Sequence, residues 1–181
     1  MNSPAPSMEN DRLAARLRIV EEHVRCENQH SLPGIMATFG DEVSYEDAPW
    51  GERHAGRDAV EQYYRDLLRA LPDLQIAVRN RVVTEDAVVL EVMISGTQGG
   101  SWRGLPATGR RVEFPLCAIY RFGPTGKLAS EKIYYDRAGV LRQVGLYHEP
   151  VGAVGQFITA LTHPVTIVGA YLRKVLPRSA A

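Results

Sequence analysis

The apolar residues of this chain change their spacing once, near Pro72. Before it, Leu13, Leu17, Val20 and Val24 recur every three or four positions. That spacing predicts a helix over about 11–29 with one buried stripe, started by Asn10 or Asp11 as cap. Leu32, Ile35, Met36 and Phe39 repeat the pattern in a short second helix, ended by Gly40. VSYED (43–47) alternates as a strand and Pro49 closes it; a loop with Trp50, His54 and Gly56 follows. Val60, Tyr64, Leu67 and Leu71 mark a third helix, stopped by Pro72. Its adjacent Tyr63 and Tyr64 are expected to divide between core and surface.

After Pro72 the period becomes two, which predicts strands at about 74–84, 87–96, 111–122 and 127–135. Thr84-Glu85-Asp86 and GPTGK (123–127) supply tight turns, and TQGGSWRGLPATGR (97–110) is a long connection. Strands joined by short turns form a mostly antiparallel meander. Helices first and strands later make the fold class α+β, with the third helix across one face of a curved sheet. In EKIYYDRAGVLRQVG (131–145) a strand runs through Asp136 into helical spacing at Val140, Leu141 and Val144. Asp136 is therefore expected to be an N-cap, worth about 1 kcal/mol.

From Val151 to Leu172 there is no charged residue, and Arg173-Lys174 follows. Gln156, His163 and Pro164 interrupt the run, so two short helices, docked on the domain or on a partner subunit, are expected rather than a membrane span. The division expected is a flexible tail over 1–10, a domain over 11–147 and a helical extension over 148–181.

Composition narrows the function classes. Lys+Arg and Asp+Glu both number 21, so the formal charge is zero, without the basic footprint of a nucleic-acid binder. Cys26 and Cys117 have no CxxC spacing, which suits a reducing compartment. MNSPAPSMEND lacks the basic start and apolar core of a signal peptide, and a cytoplasmic location is expected. The histidines (23, 30, 54, 148 and 163) show no HxH or HExxH spacing, so no metal site is expected. TQGGSWRG lacks the GK[ST] ending of a phosphate loop. His30 ends the first helix, and Glu27 lies three residues before it on the buried stripe, so the two can pair as acid and imidazole.

GRDAVEQYYRDLLRALPDL, a strand pair ending in SGTQGG, LPATGRRVEFPLCAIYRF and GKLASEKIYYDRAGVLRQVG, in that order, resemble the SnoaL-like polyketide cyclases of the nuclear transport factor 2-like superfamily. The resemblance covers roughly 11–147. It implies a cone in which a curved sheet and N-terminal helices enclose one pocket for a small hydrophobic molecule, with no cofactor. It also implies an open sheet face, which makes a homodimer the expected assembly. The acid/base Asp of such cyclases falls on Ala118, and the positions of an Arg-x-Asp…Asp epoxide hydrolase triad fall on Val92, Ile94 and Ile133, so both standard mechanisms lack their groups here.

The same comparison points Glu131, Ile133 and Tyr135 into the pocket and Lys132 and Tyr134 out. It matches Tyr45 and Asp47 to positioning residues of the first strand. The candidate catalytic residues are accordingly Asp47, Tyr45, His30 and Glu131. The candidate ligand-binding residues are Trp50, Val92, Ile94, Phe114, Leu116, Ala118, Tyr120, Ile133 and Tyr135. Cyclisation or isomerisation by proton transfer is the first reading. The rivals are a non-catalytic ligand-binding protein and, if side chains fill the cone, a protein-interaction module.

Overall fold

The computed structural model describes residues 6–147 and 152–175. Residues 145–181 separate as a unit of their own from residues 1–144. In the larger unit, helix α1 (Pro6–Asn28) leads through Ser31 into α2 (Leu32–Thr38). The Ser31 hydroxyl accepts from the Gly34 N–H and caps α2. Helix α1 begins at Pro6, earlier than the Asn10 or Asp11 cap expected, so residues 6–10 of the expected tail are helical; the rest of that tail lies outside the described residues.

Strand β1 (Phe39–Asp47) follows α2 directly. Gly40 therefore does not end the helix. The C-cap is Phe39, already extended at φ −82°, and Gly40 is the second residue of the strand. A 3-10 turn (Ala48–Trp50) and a left-handed Gly51 (φ 67°) reverse the chain into β2 (Glu52–Ala55), where a loop was expected. Helix α3 (Arg57–Ala70) buries Val60 and both Tyr63 and Tyr64, correcting the expected core–surface division of the tyrosines.

Strands β3 (Gln75–Val83), β4 (Ala87–Thr97), β5 (Arg111–Phe122) and β6 (Leu128–Tyr135) form the antiparallel meander that the period-two pattern predicts. The six strands lie in the order β2-β1-β6-β5-β4-β3, in a sheet that curls without closing. β1 joins β6 in parallel, and this is the one parallel pairing of the sheet. Register places Tyr45 beside Glu131 and Asp47 beside Ile133. It also sets Tyr120 against Glu131, and Ala118 between Leu90 and Ile133. Because side chains alternate between faces, these residues share the face covered by α1 and α3. Lys132 and Tyr134 point the other way; Lys132 pairs with Glu46 at 2.9 Å and Tyr134 is exposed.

The connection from β4 to β5 is anchored at the end of α3. Gly99 and Gly100 both donate their N–H to the Ala70 carbonyl. At Gly100 the backbone lies so close to the Arg69 carbonyl that a Cβ would collide with it, so glycine is required. Asp136 stands at the N-cap of α4 (Arg137–Gln143) and its carbonyl accepts from Val140, but its carboxylate makes no capping hydrogen bond. The expected cap is thus present in position and absent in side-chain chemistry.

In the smaller unit, α5 (Gly152–Thr162) and α6 (Pro164–Val175) are two short helices, bent by 106° at the break before Pro164. Among the described residues no single helix is long and apolar enough to cross a membrane. His148 lies outside the described residues.

Candidate active site

Between the helices and the inner face of the sheet lies a cavity of about 120 Å³. On the same measure one water needs roughly 10–15 Å³, so the space suits a small organic molecule. All nine residues expected to bind a ligand line it. Val92 and Ile94 come from β4, Phe114, Leu116, Ala118 and Tyr120 from β5, Ile133 and Tyr135 from β6, and Trp50 from the 3-10 turn. Tyr45 and Glu131 line it too. The sites expected to carry acids hold Ile94, Ala118 and Ile133, all buried.

One group of polar side chains is buried at this cavity, and its centre, His23, is a residue the sequence reading passed over. His23 is fully buried on the inner stripe of α1. Its Nδ1 is 2.7 Å from the Thr38 hydroxyl, which donates its own proton to the Ile35 carbonyl at 2.6 Å. Thr38 can therefore only accept from His23, and Nδ1 carries a proton. The Tyr64 hydroxyl donates to Glu131 Oε2 at 2.5 Å and lies 3.0 Å from His23 Nε2. Tyr64 thus bridges His23 Nε2 and Glu131. His23 Nε2 also lies 3.3 Å from Glu131 Oε2 and 3.8 Å from Glu27 Oε1. Burial opposes a positive charge on His23 most strongly, but the neighbouring Glu27 and Glu131 outweigh it and raise the His23 pKa above 6.5.

Glu27 completes the group. It is 5 % exposed, lines the cavity, and its Oε2 has no hydrogen-bond partner. Burial pushes its pKa from 4.5 up to about 8, with His23 opposing and Glu131 adding to the rise. Burial thus favours the protonated form of Glu27, which faces an apolar space beside His23 and Glu131. Its partner is His23, one turn earlier, and not His30 as the i, i+3 spacing suggested. His30 has a left-handed backbone (φ 54°), its Nε2 bonds the Leu74 carbonyl at 2.9 Å, and it does not line the cavity.

His23, Glu27 and Glu131 each offer a ligand atom within 4.8 Å of the others, so they are the set among the described residues that could hold a metal ion. No HxH pattern could reveal it, because α1 and β6 supply it jointly. Both ring nitrogens of His23 already have hydrogen-bond partners, in Thr38 and Tyr64.

A second polar cluster surrounds Asp47, which is buried at the N-cap of the 3-10 turn. Its Oδ2 accepts from Arg103 at 2.8 Å and from the Tyr135 hydroxyl at 3.4 Å. Burial raises its pKa above 3.8 despite the opposing guanidinium. Arg103, held at φ 51°, also pairs with Glu52 at 2.9 Å and lies over the rings of Trp50 and Trp102. Trp50 Nε1 donates to the Tyr135 hydroxyl at 2.8 Å. Asp47 itself does not line the cavity; Tyr135 stands between. Arg103 escaped the sequence reading because it lies in an aperiodic connection. Tyr45 stacks on Tyr63 with ring centroids 4.1 Å apart, and burial keeps its hydroxyl protonated, well above pH 10.

A sequence profile of the SnoaL-like polyketide cyclases matches residues 9–144. The chain belongs to the SnoaL-like polyketide cyclase family. Among solved structures it is similar to AclR from Streptomyces galilaeus, to which a hydroxylase activity has been ascribed. The two are 26% identical over 74% of this chain and 97% of that one, with a TM-score of 0.64. TsrD from Streptomyces laurentii is likewise 26% identical, over 74% of this chain and 96% of its own, with a TM-score of 0.64. A Jannaschia sp. CCS1 protein assigned to the SnoaL-like cyclases has the same fold (19% identity, 80% and 97% coverage, TM-score 0.65). No curated protein sequence matches the chain.

Proposed function

We propose that the protein is an enzyme that moves a proton on a small hydrophobic molecule and so drives a cyclisation or isomerisation. The observation that carries this reading is Glu27, a buried carboxyl group with an unpartnered oxygen in the wall of an otherwise largely apolar cavity. An acid whose pKa lies near the working pH can give a proton in one step and recover it in the next. Glu27, at about 8, can protonate a substrate carbonyl or other oxygen. Glu131, which lines the same cavity beside it and is held by His23 and Tyr64, is the group to receive a proton. Tyr45 contributes a hydroxyl that stays protonated and can polarise a developing oxyanion. Apolar walls at Ile133, Ala118 and Val92 would hold the substrate in its folded shape. Asp47 acts through Tyr135, as a positioning residue.

The test is turnover of candidate polyketide lactones, enones and epoxides by wild type and by Glu27→Gln. A loss of about 10²–10⁴-fold in kcat with little change in KM is expected. A Glu27→Gln enzyme at wild-type rate would remove Glu27 from the mechanism. The second reading, a protein that binds such a ligand without converting it, draws on Ala118 and Ile133 standing where acids are expected. It predicts equal ligand affinity in wild type and Glu27→Gln, and no turnover by either.

A further inference from the structure

One charged group at the cavity has no role in the chemistry above. Arg137 is the first residue of α4 and lines the cavity. Its guanidinium carbon lies 4.9 Å from the centre of the Trp50 ring. Among the described residues no carboxylate pairs with it. Other arginines differ: Arg103 over the same ring is held by Asp47 and Glu52, and Arg25 and Arg65 have acids one turn away. Nothing in α4 calls for a cation at this place, since positive charge in the first turn of a helix is disfavoured. The ring beneath it is fixed through Trp50 Nε1 and Tyr135, so the guanidinium rests on an immobile support and loses less freedom on binding.

Polarity along β6 gives the spacing. Glu131 and Tyr135 share the inner face four residues apart, about 13 Å at the usual rise of a strand. Ile133 lies between them, with Ala118 opposite. The cavity therefore offers an acid group at one end, an apolar middle, and an unpaired guanidinium at the other. The geometry points to an acidic amphipathic substrate, whose carboxylate pairs with Arg137, whose apolar body lies along Ile133, and whose reacting oxygen reaches Glu27. This inference rests on the proposed role of the cavity and names the substrate class for it. Arginine suits the purpose because its planar fork meets a carboxylate with two parallel hydrogen bonds.

Octanoate and 1-octanol share an apolar body and differ in the terminal group. Titration calorimetry of each against the full chain, as wild type and as Arg137→Gln, separates the contributions. Octanoate is expected to bind wild type at least tenfold more tightly than octanol. In Arg137→Gln the octanoate affinity falls to the octanol level, and octanol binding is unchanged. Arg137→Glu should bind octanoate more weakly than octanol. Equal binding of both ligands by wild type, or a carboxylate preference that survives Arg137→Gln, overturns the inference while leaving the cavity's role intact. If neither ligand binds, the reading of the cavity falls with it.

Discussion

Replacing Glu27 by glutamine keeps the shape of the side chain and removes its proton from the folding equilibrium. Below pH 4.5 Glu27 is protonated in both the folded and the unfolded chain, so the effect of the substitution is constant there. Between 4.5 and about 8 the unfolded chain releases a proton that the folded chain keeps. The folded state binds more protons over that interval, so wild-type stability falls as pH rises through it. At about 1.36 kcal/mol per pH unit, the interval amounts to a ceiling of about 5 kcal/mol. His23 acts in the same direction, since its raised pKa lends stability that is present below 6.5 and lost above its folded value. Urea unfolding of wild type and Glu27→Gln from pH 5 to pH 9 measures the difference directly. The variant should gain on wild type as pH rises, by up to the ceiling at pH 9, or roughly 10–20 °C in Tm for a chain of this size. A difference that stays constant within about 1 kcal/mol from pH 5 to pH 9 would show that Glu27 is ionised at neutral pH and refute its assignment as a buried acid.

Thr38→Val removes the acceptor of His23 Nδ1–H and leaves a buried donor unpaired. A loss of about 1–3 kcal/mol in urea unfolding is expected, with the His23 titration, followed by NMR, moving to lower pH. Arg103→Gln leaves Asp47 buried without its counter-charge. The expected loss at pH 7 is about 3–5 kcal/mol. It should shrink as pH falls through the raised pKa of Asp47, because a protonated carboxyl needs no cation; a loss independent of pH would separate Arg103 from Asp47.

Strands β4, β5 and β6 were legible because buried positions recur along one face of each, which leaves a period of two in the sequence, whereas β3 is exposed along most of its length. β2 was not legible: four residues between Gly51 and Gly56 are too few to show a period, and β2 pairs only with β1. The break assigned to Gly40 failed because Phe39 was already extended when the glycine arrived. In the site, the family resemblance supplied the phase of β6, and alternation of the backbone carried it to Glu131, Ile133 and Tyr135, which all line the cavity. His23 did leave a signal. Val20, His23, Val24 and Glu27 follow the three–four spacing of one helix face, so two polar residues one turn apart sit on a stripe that is otherwise apolar. Only the tertiary fold reveals why they are tolerated there, because the groups that satisfy them, Thr38, Tyr64 and Glu131, come from three other elements. Arg103 and Arg137 gave no periodic signal, and their difference, one paired and one unpaired, exists only in three dimensions.

The parallel pairing of β1 with β6 has a consequence for the order in which the molecule assembles. The meander is made of neighbours in sequence, and its hairpins close short loops. β1 must instead find a strand more than eighty residues away, at a greater entropic cost of loop closure. Domains rich in non-local contacts of this kind fold more slowly. Tyr45 and Glu131 become neighbours through this pairing, and Glu27 and His23 meet Glu131 only when the helices that precede β1 have arrived with it. A chain stalled before that step would carry the four-stranded meander without β1, β2 or the site.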